Sequence, residues 1–337
     1  MEAVLLSALG GHSSHMRNAR PPMSLDALDD RARHLQTNAI EISTAKGYAT
    51  GARDYINFCL SFSLPLTPTP QNLSHYVAYT SKFIASAPKY LTGARHFLQD
   101  LYPDFDTNRS HPLVQTTIRG SKKVRADPIR RKQPLRTTHL ETFVHVAHIS
   151  KSYDDLLFAT LLSCCFYGCH RSGELVRNND KSQWDWRKVI KRSSFVLSDH
   201  HAQYRLPYHK ADPFYHGTDV LFNHHDIADP VALLQDYVTL RDRIHGARAA
   251  LFIREDGSIP TRSWWDKKFF TLLDQSFGGH SARAGGATYY ASLGLSESII
   301  QAIGRWSSQA WKIYIRDNPT IRAEQQLASL RLHYHHN

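Results

Sequence analysis

The sequence predicts a mainly α-helical protein with a small antiparallel β-sheet, built as two domains. Three observations carry this. Apolar residues recur at helical spacing from about residue 24 to 101 without a strand signal. β-formers cluster in three short runs between residues 194 and 222. A basic, proline-interrupted stretch separates the two regions, and 337 residues are enough for two cores.

In chain order, residues 1–23 carry Gly10, Gly11, Ser13, Ser14, Pro21 and Pro22 and read as a flexible arm. Ser24-Leu25-Asp26 has the composition of a helix start. A longer helix follows over about 39–62, with Ile40, Ile42, Tyr48, Tyr55, Phe58 and Leu60 near helical spacing. Pro68 and Pro70 break the chain before a helix over about 71–85, and another spans about 88–101 and stops at Pro103. Residues 24–120 therefore form a compact all-α domain. From Arg119 to Arg136 eight basic residues stand against one acid, and Pro128 and Pro134 interrupt them. Residues 121–134, with Lys122, Lys123, Arg125, Arg130, Arg131 and Lys132, read as a basic linker facing a polyanion. Residues 135–318 make a second domain, mostly helical. Its strands are expected at Ser194–Ser198, Gln203–His209 and Thr218–Phe222, with His209-Lys210-Ala211-Asp212-Pro213 as a turn. Residues 319–337 form a tail whose His333, His335 and His336 read as a frayed end.

Hydrophobic residues make up 42% of the chain, yet no apolar run approaches the ~18 residues of a membrane span. The N-terminus lacks the basic start and apolar core of a signal peptide. Lys and Arg outnumber Asp and Glu by 41 to 30, a net charge of +11 that favours nucleic acid as partner. Three of the four cysteines, Cys164, Cys165 and Cys169, lie in the apolar segment Leu156–Cys169, which reads as a buried helix rather than a disulfide framework. With His170 they lack a second matched ligand pair, so no metal is expected.

Chemistry-bearing residues fall in three places. Gly278-Gly279 precede His280-Ser281-Ala282-Arg283, where glycines and a helix N-terminus suit an anion, and His280 and Arg283 are spaced to share a helix face. Arg171 follows the buried segment and must be paired or face a ligand; Glu174, one turn on, is either a structural partner or its orienting acid. Gly304 reads as a glycine just past a helix end, Ser307 or Ser308 as the cap of the next, and that helix carries Tyr314.

Taken in order, Arg-x-x-Glu, a turn lysine, His-x-x-Arg, a glycine with a tryptophan two residues on, and a tyrosine eight residues beyond it resemble the signature of the tyrosine recombinases. Within them the chain is most similar to the eukaryotic Crypton-type mobile-element recombinases. The resemblance covers about 135–320; over 24–120 it is architectural only. It implies a two-domain clamp, a helical core-binding domain joined to a catalytic domain. By the same resemblance, Arg171 and Arg283 clamp the scissile phosphate and Glu174 buttresses Arg171. Lys210, the only lysine between Lys191 and Lys267, protonates the leaving 5′-oxygen, and Tyr314 is the nucleophile. His280 is the histidine of the His-x-x-Arg box. Trp306 stands where most members carry histidine and Cre-like members carry tryptophan.

These groups suit phosphodiester transfer. Two arginines meet charge on the non-bridging oxygens bidentately. The Trp306 indole donates but transfers no proton at neutral pH, so the general base is His280 or a water and the general acid Lys210. A 3′-phosphotyrosyl link conserves the bond energy, so rejoining needs neither ATP nor metal. The resemblance implies double-stranded DNA with paired recognition sites as substrate, and a homotetramer on two sites that is monomeric when free. Ile321, Leu327, Leu330 and Leu332 of the tail form an apolar face that docks either on a neighbouring protomer or on their own domain. A type IB topoisomerase-like enzyme and a non-cutting DNA-binding protein are the competing readings. In a eukaryotic host the protein is expected in the nucleus, with Lys122-Lys123 and Arg130-Arg131-Lys132 as a split import signal or as DNA contacts.

Overall fold

The structure is a computed structural model that describes residues 21–128, 131–308, 311 and 312. It falls into two compact units, one reaching to residue 128 and the other beginning at residue 129.

The first unit is helical throughout its described residues. Helix α1 (Leu25–Thr37) starts where Ser24 accepts a hydrogen bond from the Ala27 amide, and it buries none of its residues. The core lies among α2 (Ile42–Ser61), α3 (Pro70–Thr80), α4 (Ala87–Leu98), α5 (Phe105–Ser110) and α6 (Pro112–Arg125). Tyr55, Phe58, Leu73, Tyr76, Val77, Leu91, Phe105 and Val114 fill it. Helices α2 and α4 touch backbone to backbone. A Cβ on Gly51 would lie 2.6 Å from the Tyr90 carbonyl oxygen, and Gly93 lies reciprocally against Tyr48.

Helix α6 corrects the expectation of a non-helical basic linker. Lys122, Lys123 and Arg125 form its last turn. Pro112 occupies a helix-starting position, His111 caps the Leu113 amide, and no breaker follows before Pro128. Three cations at the C-terminal turn favour the helix further, because its carbonyl end is negative. Arg125 pairs with Asp127 (2.5 Å) and donates to the Ser81 carbonyl (2.6 Å). The second half of the basic run is held as well. Lys132 donates to the Gln275 carbonyl, and the amides of Gln133 and Leu135 donate to Ser276 and Ser281 (both 2.9 Å). Arg130 lies outside the described residues.

The second unit is organised round α8 (Tyr153–Tyr167), which Ser152 caps and which is buried on nearly every face. That is what the apolar segment from Leu156 predicts, and Cys164, Cys165 and Cys169 are buried free thiols. Helices α7 (Thr137–Ser150), α10 (Pro230–His245), α11 (Arg262–Phe269) and α12 (Ser281–Ser292) pack against it. The single-turn α9 (Ser172–Leu175) follows it directly, and α13 (Glu297–Ile303) packs against α12. A three-stranded antiparallel sheet, β1 (Val196–Leu197), β2 (His201–Leu206) and β3 (Thr218–Asn223), runs in that order, with Tyr204 opposite Val220. Ala202, Tyr204 and Leu206 point into the core while their neighbours on β2 point away, the alternation of a half-buried strand. Residues 209–213 form the connection towards β3, closed by a bridge between His209 and Asp212. No described helix is long and apolar enough to cross a membrane.

Candidate active site

The site is built where the end of α8, the start of α12 and the end of α13 converge. Residues 168–171 leave the central helix in a turn that Cys169 completes with a left-handed φ of 46°. Arg171 then caps α9 in reciprocal fashion. Its amide donates to Glu174 Oε2 (3.2 Å), and its guanidinium pairs with Glu174 Oε1 (2.9 Å). Glu174 is 7% exposed and the Arg171 side chain 28%, so the acid is sealed while the arginine still meets solvent.

His280, at the N-cap position of α12, stays exposed, while Arg283 in the first turn is 1% exposed. Arg283 donates to the carbonyls of Cys169 and Gly304 (2.6 Å to the latter), and its guanidinium stacks 4.1 Å from the centre of the Trp306 ring. Arg283 thus ties two turns together. Burial and the neighbouring Arg171 bring its pKa down to about 10, which leaves it charged at neutral pH. The space that the sequence assigns at Gly278 and Gly279 to an approaching phosphate is partly taken. Lys132 lies 3.3 Å from where a Gly278 Cβ would stand, and the Arg262 guanidinium lies over Gly279. Arg262, not foreseen from the sequence, donates to Ser172 Oγ and pairs with Asp266 (3.0 Å).

His280 is held below its ordinary pKa by partial burial and then by the charges of Arg171, Arg283, Arg262 and Lys210. All of these influences disfavour its protonated form. Lys210 is exposed in the turn after β2. Trp306 is 9% exposed in a small core with Cys169, Ala287, Ile300 and Trp311. Gly304 does not play the part expected of it. Its φ is −81°, and the left-handed residue is Arg305 at 54°. A Cβ on Gly304 would land on the Trp306 indole, so this glycine exists for the close approach of that ring.

Sequence reasoning missed a polar layer beneath these groups. His170 is fully buried between Tyr204 Oη (2.8 Å from Nε2) and Glu174 Oε2 (3.1 Å from Nδ1). Burial and then Arg305 push its pKa down, so it is neutral, with Nδ1–H donating to Glu174 and Nε2 accepting from Tyr204. Arg305 pairs with the same carboxylate oxygen, Oε2, at 3.3 Å. A histidine beside Arg171 and an arginine between Gly304 and Trp306 were the available signals. Both side chains belong to segments over a hundred residues apart, and nothing local pairs them.

Tyr314 lies outside the described residues, as do most of the expected helix that carries it and the tail 319–337. Of the residues just before Tyr314, Trp311 is buried, and Lys312 pairs with Glu297 at 2.6 Å. Among the described residues no group of three or more His, Cys, Asp or Glu side chains could hold a metal.

No protein-family model matches the chain, and no curated protein does. Solved structures do. The site-specific recombinase XerH, in a post-cleavage complex with its palindromic difH substrate, superposes with a TM-score of 0.57 at 15% identity, over 84% of this chain and 78% of XerH. The Tn1549 transposon integrase with transposon right-end DNA superposes with a TM-score of 0.52 at 13% identity, over 90% of this chain and 97% of the integrase. At such identities the likeness is one of fold, and this chain shares theirs.

Proposed function

We propose that the chain is a tyrosine recombinase, a site-specific enzyme that cuts and rejoins DNA through a 3′-phosphotyrosyl intermediate. The observation that carries this is the convergence of Arg171, paired to the buried Glu174, with Arg283, held on the carbonyls of Cys169 and Gly304, and with His280 at the start of α12, on a fold shared with XerH and the Tn1549 integrase. In this reading Arg171 and Arg283 take the non-bridging oxygens of the scissile phosphate, where charge grows as the phosphorus is attacked. Arg283 does so from a position fixed by two backbone carbonyls. Tyr314 attacks phosphorus, His280 accepts the phenol proton, and Lys210 delivers a proton to the departing 5′-oxygen. The 5′-hydroxyl of a second strand then attacks the phosphotyrosine, which returns the phenol and seals the backbone.

XerH is recorded on a palindromic substrate and the Tn1549 integrase on a transposon end. By extension the substrate here is a mobile-element end, with the chain working as a homotetramer on two paired sites, through a four-way junction. The Crypton-type affiliation and a nuclear location in a eukaryotic host belong to the same proposal. So do DNA contacts by Lys122, Lys123, Arg125, Arg131, Lys132 and Arg130.

The test is a pool of duplexes of randomised sequence, each nicked beside one position so that the cleaved fragment diffuses away. The unaltered chain is expected to leave a covalent protein–DNA adduct that survives denaturation. Tyr314→Phe should bind the captured duplex unchanged and form no adduct. An adduct that persists in Tyr314→Phe would sink the assignment of the nucleophile, and no adduct with the unaltered chain would sink the enzymatic reading.

A further inference from the structure

We propose that Arg305 is a positioning residue for strand cleavage: it grips Glu174 from the side opposite Arg171 and, in parallel with Arg283, ties the turn after α8 to the turn after α13. The inference rests on the recombinase reading above and names a group that reading does not use.

The Arg305 side chain is 7% exposed and makes its contacts inward. One terminal nitrogen donates to the carbonyls of Gly168 (3.1 Å) and Ile303 (3.0 Å). The other lies 3.3 Å from Glu174 Oε2 and 3.2 Å from His170 Nδ1. Arg283 makes the matching pair one residue along on each turn, to the carbonyls of Cys169 and Gly304. Two guanidiniums thus bridge consecutive carbonyls of the same two turns. Arg283 takes the pair nearer Trp306, and Arg305 the pair beside Glu174.

Two costs indicate that packing alone does not explain this residue. Its backbone is left-handed at φ 54°, where glycine is the favoured residue. Its charge is also removed from water, which is unfavourable unless a partner compensates. The compensating partner is Glu174. With Oε2 receiving Arg305, His170 and the Arg171 amide, Oε1 is left for the Arg171 guanidinium. Removal of Arg305 frees the carboxylate to turn towards its remaining donors. Arg171, itself partly exposed, then loses the fixed end of its ion pair. Arg305 has no role in touching the phosphate, so its loss should lower the rate of the chemical step and spare DNA affinity.

The left-handed φ makes Arg305→Gly an unusually clean deletion, because glycine fits that backbone without strain. The duplex captured by the unaltered chain is the probe. Arg305→Gly is expected to bind it within about twofold of the unaltered chain, while adduct formation at saturating DNA falls about 10- to 100-fold, as for a reacting group displaced by a fraction of an ångström. Arg305→Lys, which keeps the charge but spans fewer acceptors, should recover part of the rate. Arg305→Gln serves if the glycine variant does not fold, and the same fall is expected. A saturated rate within twofold of the unaltered chain in either neutral variant overturns the proposal, as does a fall in affinity that accounts for the whole effect. Crystal structures of Arg305→Gly and the unaltered chain decide the point even if no adduct forms. An Arg171–Glu174 pair that stays intact in the variant refutes Arg305, whereas failure of the unaltered chain to form an adduct refutes the recombinase reading alone.

Discussion

His280 sets the pH behaviour expected of the site. Partial burial and four neighbouring cations all disfavour its protonated form, so its pKa lies below the ordinary 6.5. As a base it works unprotonated, and it becomes protonated only as pH falls through that lowered value. At limiting DNA, where a rate profile reports the free protein, adduct formation should hold steady at neutral pH and fall only below 6.5. His280→Gln should be slower and lack the acidic limb. A limb at or above 6.5 would count against this environment for His280. At the same scale Gly304 and Arg305 have exchanged the duties their residue types suggest. The glycine makes room for an indole at an ordinary φ, while the arginine adopts the left-handed backbone.

Helix α12 depends on two consecutive glycines at its closest crossings. A side chain on Gly285 would meet the Leu135 carbonyl and Phe166 ring, and one on Gly286 would meet the Phe166 carbonyl. These positions let the helix that starts after His280 and bears Arg283 lie directly on α8, just past whose end stands Arg171. Backbone atoms cannot rotate away as a side-chain tip can, so overpacking here has no inexpensive relief. Gly286→Ala should destabilise the second unit by about 2–3 kcal/mol, measured as a shift in the urea midpoint with unchanged slope. An unshifted midpoint would show that α12 can retreat from α8. Elements with a strong local signal were legible in advance: the periodic α2, the continuously apolar α8 and the alternating β2 fall within a few residues of their expected bounds. Helix α6 was not, because a run of cations between prolines looks like a linker until Pro112 and the cap from His111 are recognised as a start.

Over the whole molecule the surplus of +11 makes association with DNA a matter of counterion release. Each phosphate neutralised contributes about 0.9 to the slope of log affinity against log salt. Lys122 and Lys123 lie in the last turn of α6. If both face phosphates, Lys122→Gln with Lys123→Gln should reduce that slope by about 2 and leave Tyr314-dependent adduct formation at saturation unchanged. A slope that does not move would assign them to helix capping alone.

What the sequence by itself determined is what short-range pattern can encode. It specified a helical protein with one small sheet and a buried helix that Arg171 follows. It also placed the lysine-bearing turn between strands, and an ordered set of arginine, lysine, histidine and tryptophan that resembled one catalytic family. Only the tertiary structure decided which of these groups are sealed and which are presented. Arg283 is buried as a staple, Arg171 stays partly open, and His280 faces solvent among cations. The layer of His170, Tyr204 and Arg305 round Glu174 came from the structure alone. The reason is physical: helical and strand periods are written in neighbouring residues, but a buried charge is stabilised by whatever the fold brings beside it. Here Arg305 lies more than a hundred residues from Glu174 in the chain.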